Sequence, residues 1–564
     1  MKVTLTNQKT GKPIPQVALI ALEKTGGVRL RRGTGQTNSR GVARFTLKGL
    51  GAGKTFLIKA KNPFGDGKNY LSSAITKAGG FLFTISPQKT AGSTAKRSGG
   101  NSTGGGSTSA PSSKALASAT TAELRLLNRT TFGPTPELLV QLRKQGRGAF
   151  IDQQLHPERI GDSGLKSRLS RNPSPKGSKR LQMEQLIRAI YSQRQLNEVM
   201  TWFWDNHFNT ATRGKWELRE NAAFRAKALG RFRDLLGISA TSPAMLTFLD
   251  NRVNKKEAPN ENYARELMEL HTLGVNGGFA ARDVVEVARA FTGWGIAGNS
   301  FQFNPKAHDT GKKLVLGRTI PAGGGVKDGE NVLDILARHP STARFICTKL
   351  AQLFITDDPS QTTVKGCAGV FSRTNGDIRQ VVAYLLGTPA FSASANVRSK
   401  YRNQLEFVAA LLRGMEASLG TGGGGDLYWA GTWASLALDD ALFKNTVPTG
   451  LAETGAKLIS SQQYLARVRF ANRIAFNKPR NGSETAIDPV AYFQARGLKQ
   501  ANEIVSFLFA IATGGIYTDT EWRIALNLLT DAGKVSFSLG RSDADTRLRR
   551  LVATVYSLPG AQLQ

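Results

Sequence analysis

Residues 87–114 read PQKTAGSTAKRSGGNSTGGGSTSAPSSK, and this run decides how the rest of the chain can be organised. Gly, Ser and Thr dominate, and no bulky apolar side chain is present to offset the entropy of ordering the backbone. The run predicts a flexible linker over 87–118 and a domain boundary. The hydrophobic period differs on its two sides. Before it, short alternating runs recur: VTLT (3–6), VALIAL (17–22), VARFTL (42–47), FLIKA (56–60) and FLFTIS (81–86). Turn signals TGKP (10–13), NSRG (38–41), GAGK (51–54) and FGDG (64–67) fall between them, which predicts a small all-β sandwich over 1–86. After it the period is helical. Met183, Leu186, Ile187 and Ile190 trace one apolar face, and Leu196, Val199, Met200, Phe203 and Trp204 continue it.

The fold class expected is mainly α: a large, irregular multi-helical domain over 119–564, preceded by the small sandwich. Helices are predicted over 216–236, 261–273, 282–293, 341–355, 402–419 and 497–513, among others. Strand-like segments are confined to 301–304 and 313–316. VVAYLLGTPAF (381–391) is echoed by LVATVYSLPGAQLQ (551–564), which raises a division into two subdomains near 395. No apolar run reaches the length of a membrane span.

Net charge is +35. Residues 1–118 carry 19 basic residues against only Glu23 and Asp66, a surplus of 17, and residues 119–564 carry 57 against 39, a surplus of 18. A module this basic concentrates near polyanions. The alternative is that the charge serves solubility alone. Nucleic acid is an unfavoured partner, because the basic residues do not interleave with aromatics in any recognition module. Cys347 and Cys367 allow at most one bridge, and Cys347, in ARFICTKL, reads as a small buried hydrophobe. The start, MKVTLTNQKTGKPIPQ, shows neither an apolar leader core nor a cleavage site. A cytoplasmic chain and an exported chain without its leader both fit.

The densest chemistry lies in NENYARELMELHTLGV (260–275). On an ideal helix Asn262, Glu266 and Glu269 line one stripe, with Tyr263, Leu267 and Leu270 on the neighbouring, core-facing one. Arg265 can pair with Glu261 or Glu269, or reach a ligand. His271 does not share a face with Glu269, and neither spacing matches a zinc or di-iron motif. A divalent metal would need ligands from other segments. His207, in WFWDNHF, ends an apolar stripe as a core-edge histidine or as an acid–base group. His308 and Asp309, in AHDTG, form a loop pair suited to fixing a histidine tautomer, or a turn in which Asp309 caps Gly311. His156 and His339 precede prolines and read as helix-boundary residues. Trp294, between Gly293 and Gly295, either walls a cleft or plugs the core. No nucleophile elbow, phosphate loop or haem-attachment motif is present.

These motifs also carry a resemblance. NENYARELMELHTLGV, with DVVEVARAFTGW (283–294), FQFNPKAHDTGKKLVLG (301–317), WFWDNHFNT (202–210) and PTGLAETGAKLISSQQYLARVRFANRIAF (448–476), resembles the bacterial domain of unknown function 1800 family from about 119 to the C-terminus. The N-terminal TGKPIPQV and TNSRGVARFTL runs resemble transthyretin-like or Ig-like accessory domains. Many family members carry Pro-Pro-x-x-x-Gly-Trp-Pro-Gly where this chain has Pro448, Thr449 and Gly450 without the tryptophan. The resemblance implies an extracytoplasmic location (periplasmic, cell surface or secreted) and a neighbouring gene for an alkaline-phosphatase or sulfatase-type protein. It assigns no reaction.

Two functions are expected. The first is a cell-envelope or secreted protein whose basic N-terminal module binds an anionic polymer or surface and tethers the helical domain. The second is an exported hydrolase or metal-assisted enzyme acting on an envelope polymer. Its acid–base groups would come from Glu266, Glu269, His308, Asp309 and His207, and its substrate contacts from Asn262, Tyr263, Arg265, His271 and Trp294.

Overall fold

The computed structural model describes residues 2–7, 18–25, 28–36, 42–44, 55–61, 69–71, 80–85, 119–171, 178–211, 214–417, 419, 442–476 and 485–564. The chain divides into two units, Met1–Gly106 and Ser107–Gln564. In the first, Lys2–Asn7 pairs antiparallel with Val42–Arg44 and parallel with Gly80–Ile85. A second sheet runs in the order Val28–Gln36, Ala18–Thr25, Thr55–Lys61, Asn69–Leu71. The turns and side chains a sandwich would need, and the linker expected over 87–118, lie outside the described residues.

The second unit is mainly helical. Its helices start where the sequence supplies caps: Thr120 and Glu123 form a reciprocal capping box, as do Asn403 with Glu406 and Thr518 with Glu521. Each such cap is worth about 1 kcal/mol. The only sheets among its described residues are two hairpins, Trp294–Ala297 with Ser300–Phe303 and Lys313–Val315 with Arg318–Ile320. Both expected strand segments are therefore strands. The apolar core is continuous from Leu124 to Tyr556 and runs unbroken across residue 395. No helix of the described residues is long and apolar enough to cross a membrane.

Three local features differ from the sequence reading. The helix expected over 216–236 is two, Lys215–Lys227 and Phe232–Thr241. At the break the backbone of residues 230–232 pairs with another segment: the Ile378 amide donates to the Gly230 carbonyl and the Phe232 amide to the Gly376 carbonyl. A continuous helix would leave no room for that pairing. Cys347, expected as a simple buried hydrophobe, is buried but bonded to Cys367, which clasps Pro340–Phe354 to Gln361–Arg373.

The third difference lies in the densest segment. Glu261–Glu266 is α-helical, but Leu267–Thr272 is a π-helix, in which the Leu273 amide donates to the Met268 carbonyl five residues back. The wider turn changes which residues share a face. The buried set is Tyr263, Leu267, His271 and Ala264, Met268, Thr272, two rows with a spacing of four. Leu270, expected in the core, is half-buried, and His271 takes the inward position. Short π segments are concentrated at functional sites.

Candidate functional site

The helix Gln195–His207 ends in three polar residues that grip three different elements, because successive side chains on a helix point about 100° apart. Asp205 accepts a hydrogen bond from the Asn221 amide at 3.1 Å. Asn206 both donates to the Leu451 carbonyl at 3.1 Å and accepts from its amide at 2.7 Å. The PTG turn fits against it only as glycine: Gly450 has φ +70°, and a Cβ there would lie 2.4 Å from the Asn206 carbonyl oxygen. His207 bonds through Nε2 to the carbonyl of His271 at 3.0 Å, an oxygen inside the π-helix.

His207 and His271 are thus brought together, with ring centroids 6.1 Å apart and Phe208 against both. Burial and then the Lys349 ammonium hold both imidazoles neutral, with His271 pushed down to about 3. Neither nitrogen of His271, nor Nδ1 of His207, has a hydrogen-bond partner. Lys349 itself pairs with Glu453 at 3.1 Å in a cavity of about 40 Å³ that Lys400 also lines.

On the other side of the same helix sits a carboxyl cluster. Glu217 and Glu220, one turn apart on Lys215–Lys227, join Asp205 around Asn221 and Thr210, whose hydroxyl lies 3.3 Å from Glu220 Oε2. Glu217 and Glu220 are 3% and 5% exposed, and Oε2 of the first and Oε1 of the second have no partner. No basic side chain among the described residues forms an ion pair with any of the three. Burial drives Glu217 up to about 10 and Glu220 up to about 8, with Asp205 adding its charge to both. Asp205, which keeps part of its surface open, rises to about 7, again through burial. The Tyr263 hydroxyl, 1% exposed and without a partner, is raised by burial and by the Glu220 charge. These acids hold protons near neutral pH, which gives them the capacity of general acids.

The other sequence candidates lie in different surroundings. His308 is buried in a network of its own: Nδ1 faces the Thr292 carbonyl at 2.7 Å and Nε2 faces Asp328 at 3.1 Å. Lys313, fully buried, donates to the same Asp328 oxygen at 2.5 Å. Asp309 takes two bonds from Arg289, at 2.8 and 3.2 Å, and caps the Gly311 amide at 2.8 Å. Burial pushes the Asp309 carboxyl up, but these donors pull harder and its net shift is downward. Trp294 sits in the core, edge-on to Phe291 and Phe301, and Phe291 packs on Tyr263. Arg265 bonds Glu261 at 2.9 Å and reaches Glu269 at 4.0 Å, along a surface that also exposes Asn262. Glu266 is half-buried and raised by that burial and by Glu269. Among the described residues, no hydrogen bond or ion pair joins Glu266 or Glu269 to His207, His308 or Asp309. His156 closes the C-terminus of Arg147–Leu155 and His339 caps Pro340–Phe354, so both stand at helix boundaries.

A wide cleft in the helical unit was not visible in the sequence. It encloses about 850 Å³ and is lined by Lys166, Arg188, Arg194, Arg225, Lys227 and Arg379. Only Glu158, Asp162 and Glu198 oppose them there, leaving six cations against three acids. Arg225 is tied to Glu198 at 3.0 Å and Arg379 to Glu158 at 3.3 Å. Arg188 has only distant carboxylates, at 3.8 and 4.0 Å, and its buried Nε has no partner. Its lining comes from residues 157 to 379, so no local motif announces it; Arg188 alone, a cation amid the apolar 183–190 face, is a trace of it. The carboxyl cluster leaves a nearer signal in Asp205 between aromatics and the Glu-x-x-Glu-Asn run at 217–221. Among the described residues, no group of three or more His, Cys, Asp and Glu side chains is placed to hold a metal ion.

The chain belongs to the family described as "Protein of unknown function (DUF1800)", which it matches over residues 125–559. No curated protein and no solved structure gives a match to it.

Proposed function

We propose that this chain is an extracytoplasmic binding protein for an anionic envelope polymer or surface. The helical unit holds the ligand in the arginine-lined cleft, and the basic N-terminal stretch, as an Ig-like or transthyretin-like module on a flexible linker, adds attraction without chemical selectivity. The observation that carries this is the cleft: a volume suited to a few sugar units, a surplus of three cations, and a half-buried guanidinium at Arg188 lacking a close carboxylate. The Cys347–Cys367 disulfide supports an oxidising compartment. A polymer bearing phosphate or sulfate fits the neighbouring phosphatase-type or sulfatase-type gene that the family resemblance implies. Arginine forks favour such groups.

The test is a titration of the full chain with a dextran sulfate oligomer at two salt concentrations. Arg188→Ala is expected to weaken binding about tenfold, the loss of one charge-assisted contact, and to flatten the salt dependence. Affinity unchanged in Arg188→Ala and in Arg379→Ala would remove the cleft from the account.

The second reading is an exported hydrolase acting on the same polymer. The carboxyl cluster of Asp205, Glu217 and Glu220, rather than any contact between Glu266, Glu269 and His308, is what favours it.

A further inference from the structure

One helix serves two sites. Lys215–Lys227 turns Glu217, Glu220 and Asn221 into the buried carboxyl cluster and presents Ala222, Arg225, Ala226 and Lys227 to the cleft. Its neighbour repeats the arrangement: on Gln195–His207, Glu198 pairs with Arg225 at the cleft and Asp205 meets Asn221 at the cluster. The two sites are therefore opposite ends of one helix–helix seam. The carboxyls have no cationic partner, two of their oxygens are unbonded, and the Tyr263 hydroxyl beside Glu220 is unbonded too. Carboxyls buried in this way are stable only while they hold their protons.

Resting on the cleft as the anion site, we propose that this carboxyl cluster is a switchable counter-charge to it, so that the protein holds its anionic ligand in acidic to neutral surroundings and releases it in alkaline ones. The cleft carries six cations against three acids. Each carboxyl that loses its proton behind the seam subtracts one from that surplus, through an interior that salt screens poorly. Asp205 and Glu220 charge first, around 7 and 8, while Glu217 keeps its proton to about 10. Two charges cut the surplus from three to one. Arg225 faces both ends and is the cleft group most affected, since a charged Asp205 competes with a bound anion for its field. The remaining charged groups on these two helices are Glu198, Lys227 and the exposed Lys215 and Arg219, with Arg188 facing the cleft from Ser178–Tyr191. His207, two residues from Asp205, is held neutral by burial, and no histidine lines the cleft. His156, next to Pro157 at its lip, is engaged by Asp152.

The experiment measures affinity of the full chain for a dextran sulfate oligomer, whose sulfate esters stay charged throughout, at about pH 5.5 and about pH 9. The Lys and Arg residues of 1–118 contribute a background that is the same at both. Wild type is expected to bind about tenfold more weakly at the higher pH. The double variant Asp205→Asn/Glu220→Gln, and not the control His156→Gln, is expected to lose that difference. A thermal melt of the double variant confirms that it is folded. Wild-type affinity that does not vary with pH overturns the proposal and leaves the cleft standing. So does a full pH response in the folded double variant, whereas no binding at either pH removes the cleft and the proposal together.

Discussion

Two buried polar networks in this protein are built on opposite principles. Around Asp328, every charge has a counter-charge: Lys313 and His308 share one carboxylate oxygen, and Asp309 beside them is forked by Arg289. Around Asp205, three acids meet with only amides and hydroxyls for company. Both networks lie in the same continuous core region. The first can be explained as a staple, since it fixes the strand Lys313–Val315 to the helix Val326–Ala337. The second adds nothing to stability that a leucine would not supply better. An arrangement that opposes stability is a stronger sign of function than one that supports it.

Breaking the staple should have the largest effect. Lys313→Met leaves Asp328 buried without its cation and should cost about 3–5 kcal/mol in urea denaturation. A loss under about 1 kcal/mol would mean that the pair is hydrated and that the contrast between the networks is false. The cluster should behave in the opposite sense. An unfolded chain ionises glutamate near its ordinary value of 4.5, whereas folded Glu220 holds its proton to about 8. The stability due to those protons is complete below about 4.5 and is lost as pH climbs through about 8. Wild-type melting temperature should therefore fall across that window. Glu217→Gln/Glu220→Gln should shrink the fall to the part that Asp205 contributes and stabilise the protein at alkaline pH by on the order of 2 kcal/mol. Destabilisation at every pH would show that the acids are paired after all.

The smallest contrast lies in the two histidines. His207→Phe strips the π-helix carbonyl of its donor and should cost about 1 kcal/mol. His271→Leu removes two unbonded nitrogens and should be neutral or slightly stabilising. Equal losses in the two melts would indicate that His271 has a partner in solution, such as a water or a ligand.

Much of the helical unit was legible because apolar period and caps are local. The strands around Phe301 and Leu314, the boundary roles of His156 and His339, and the pairing of Arg265 on its own helix follow from near neighbours in sequence. What escaped was non-local. The π-helix exchanges Leu270 for His271, and ideal helical spacing has no means of announcing a bond that skips one residue further. The break before Phe232 depends on residues 376–378, and the cleft on arginines as far apart as Arg188 and Arg379. The carboxyl cluster escaped for another reason: a solvated Glu-x-x-Glu pair looks identical in sequence to a buried one.

The grip of Asp205, Asn206 and His207 also has a mechanical consequence. Thirteen residues of helix form a rod about 20 Å long. At its near end Glu198 holds Arg225 in the cleft, and at its far end three consecutive side chains engage three separate parts of the molecule like the bits of a key. Any twist that a ligand applied through Arg225 would reach the carboxyls, the Gly450 turn and the π-helix at once, because one helix carries all three contacts.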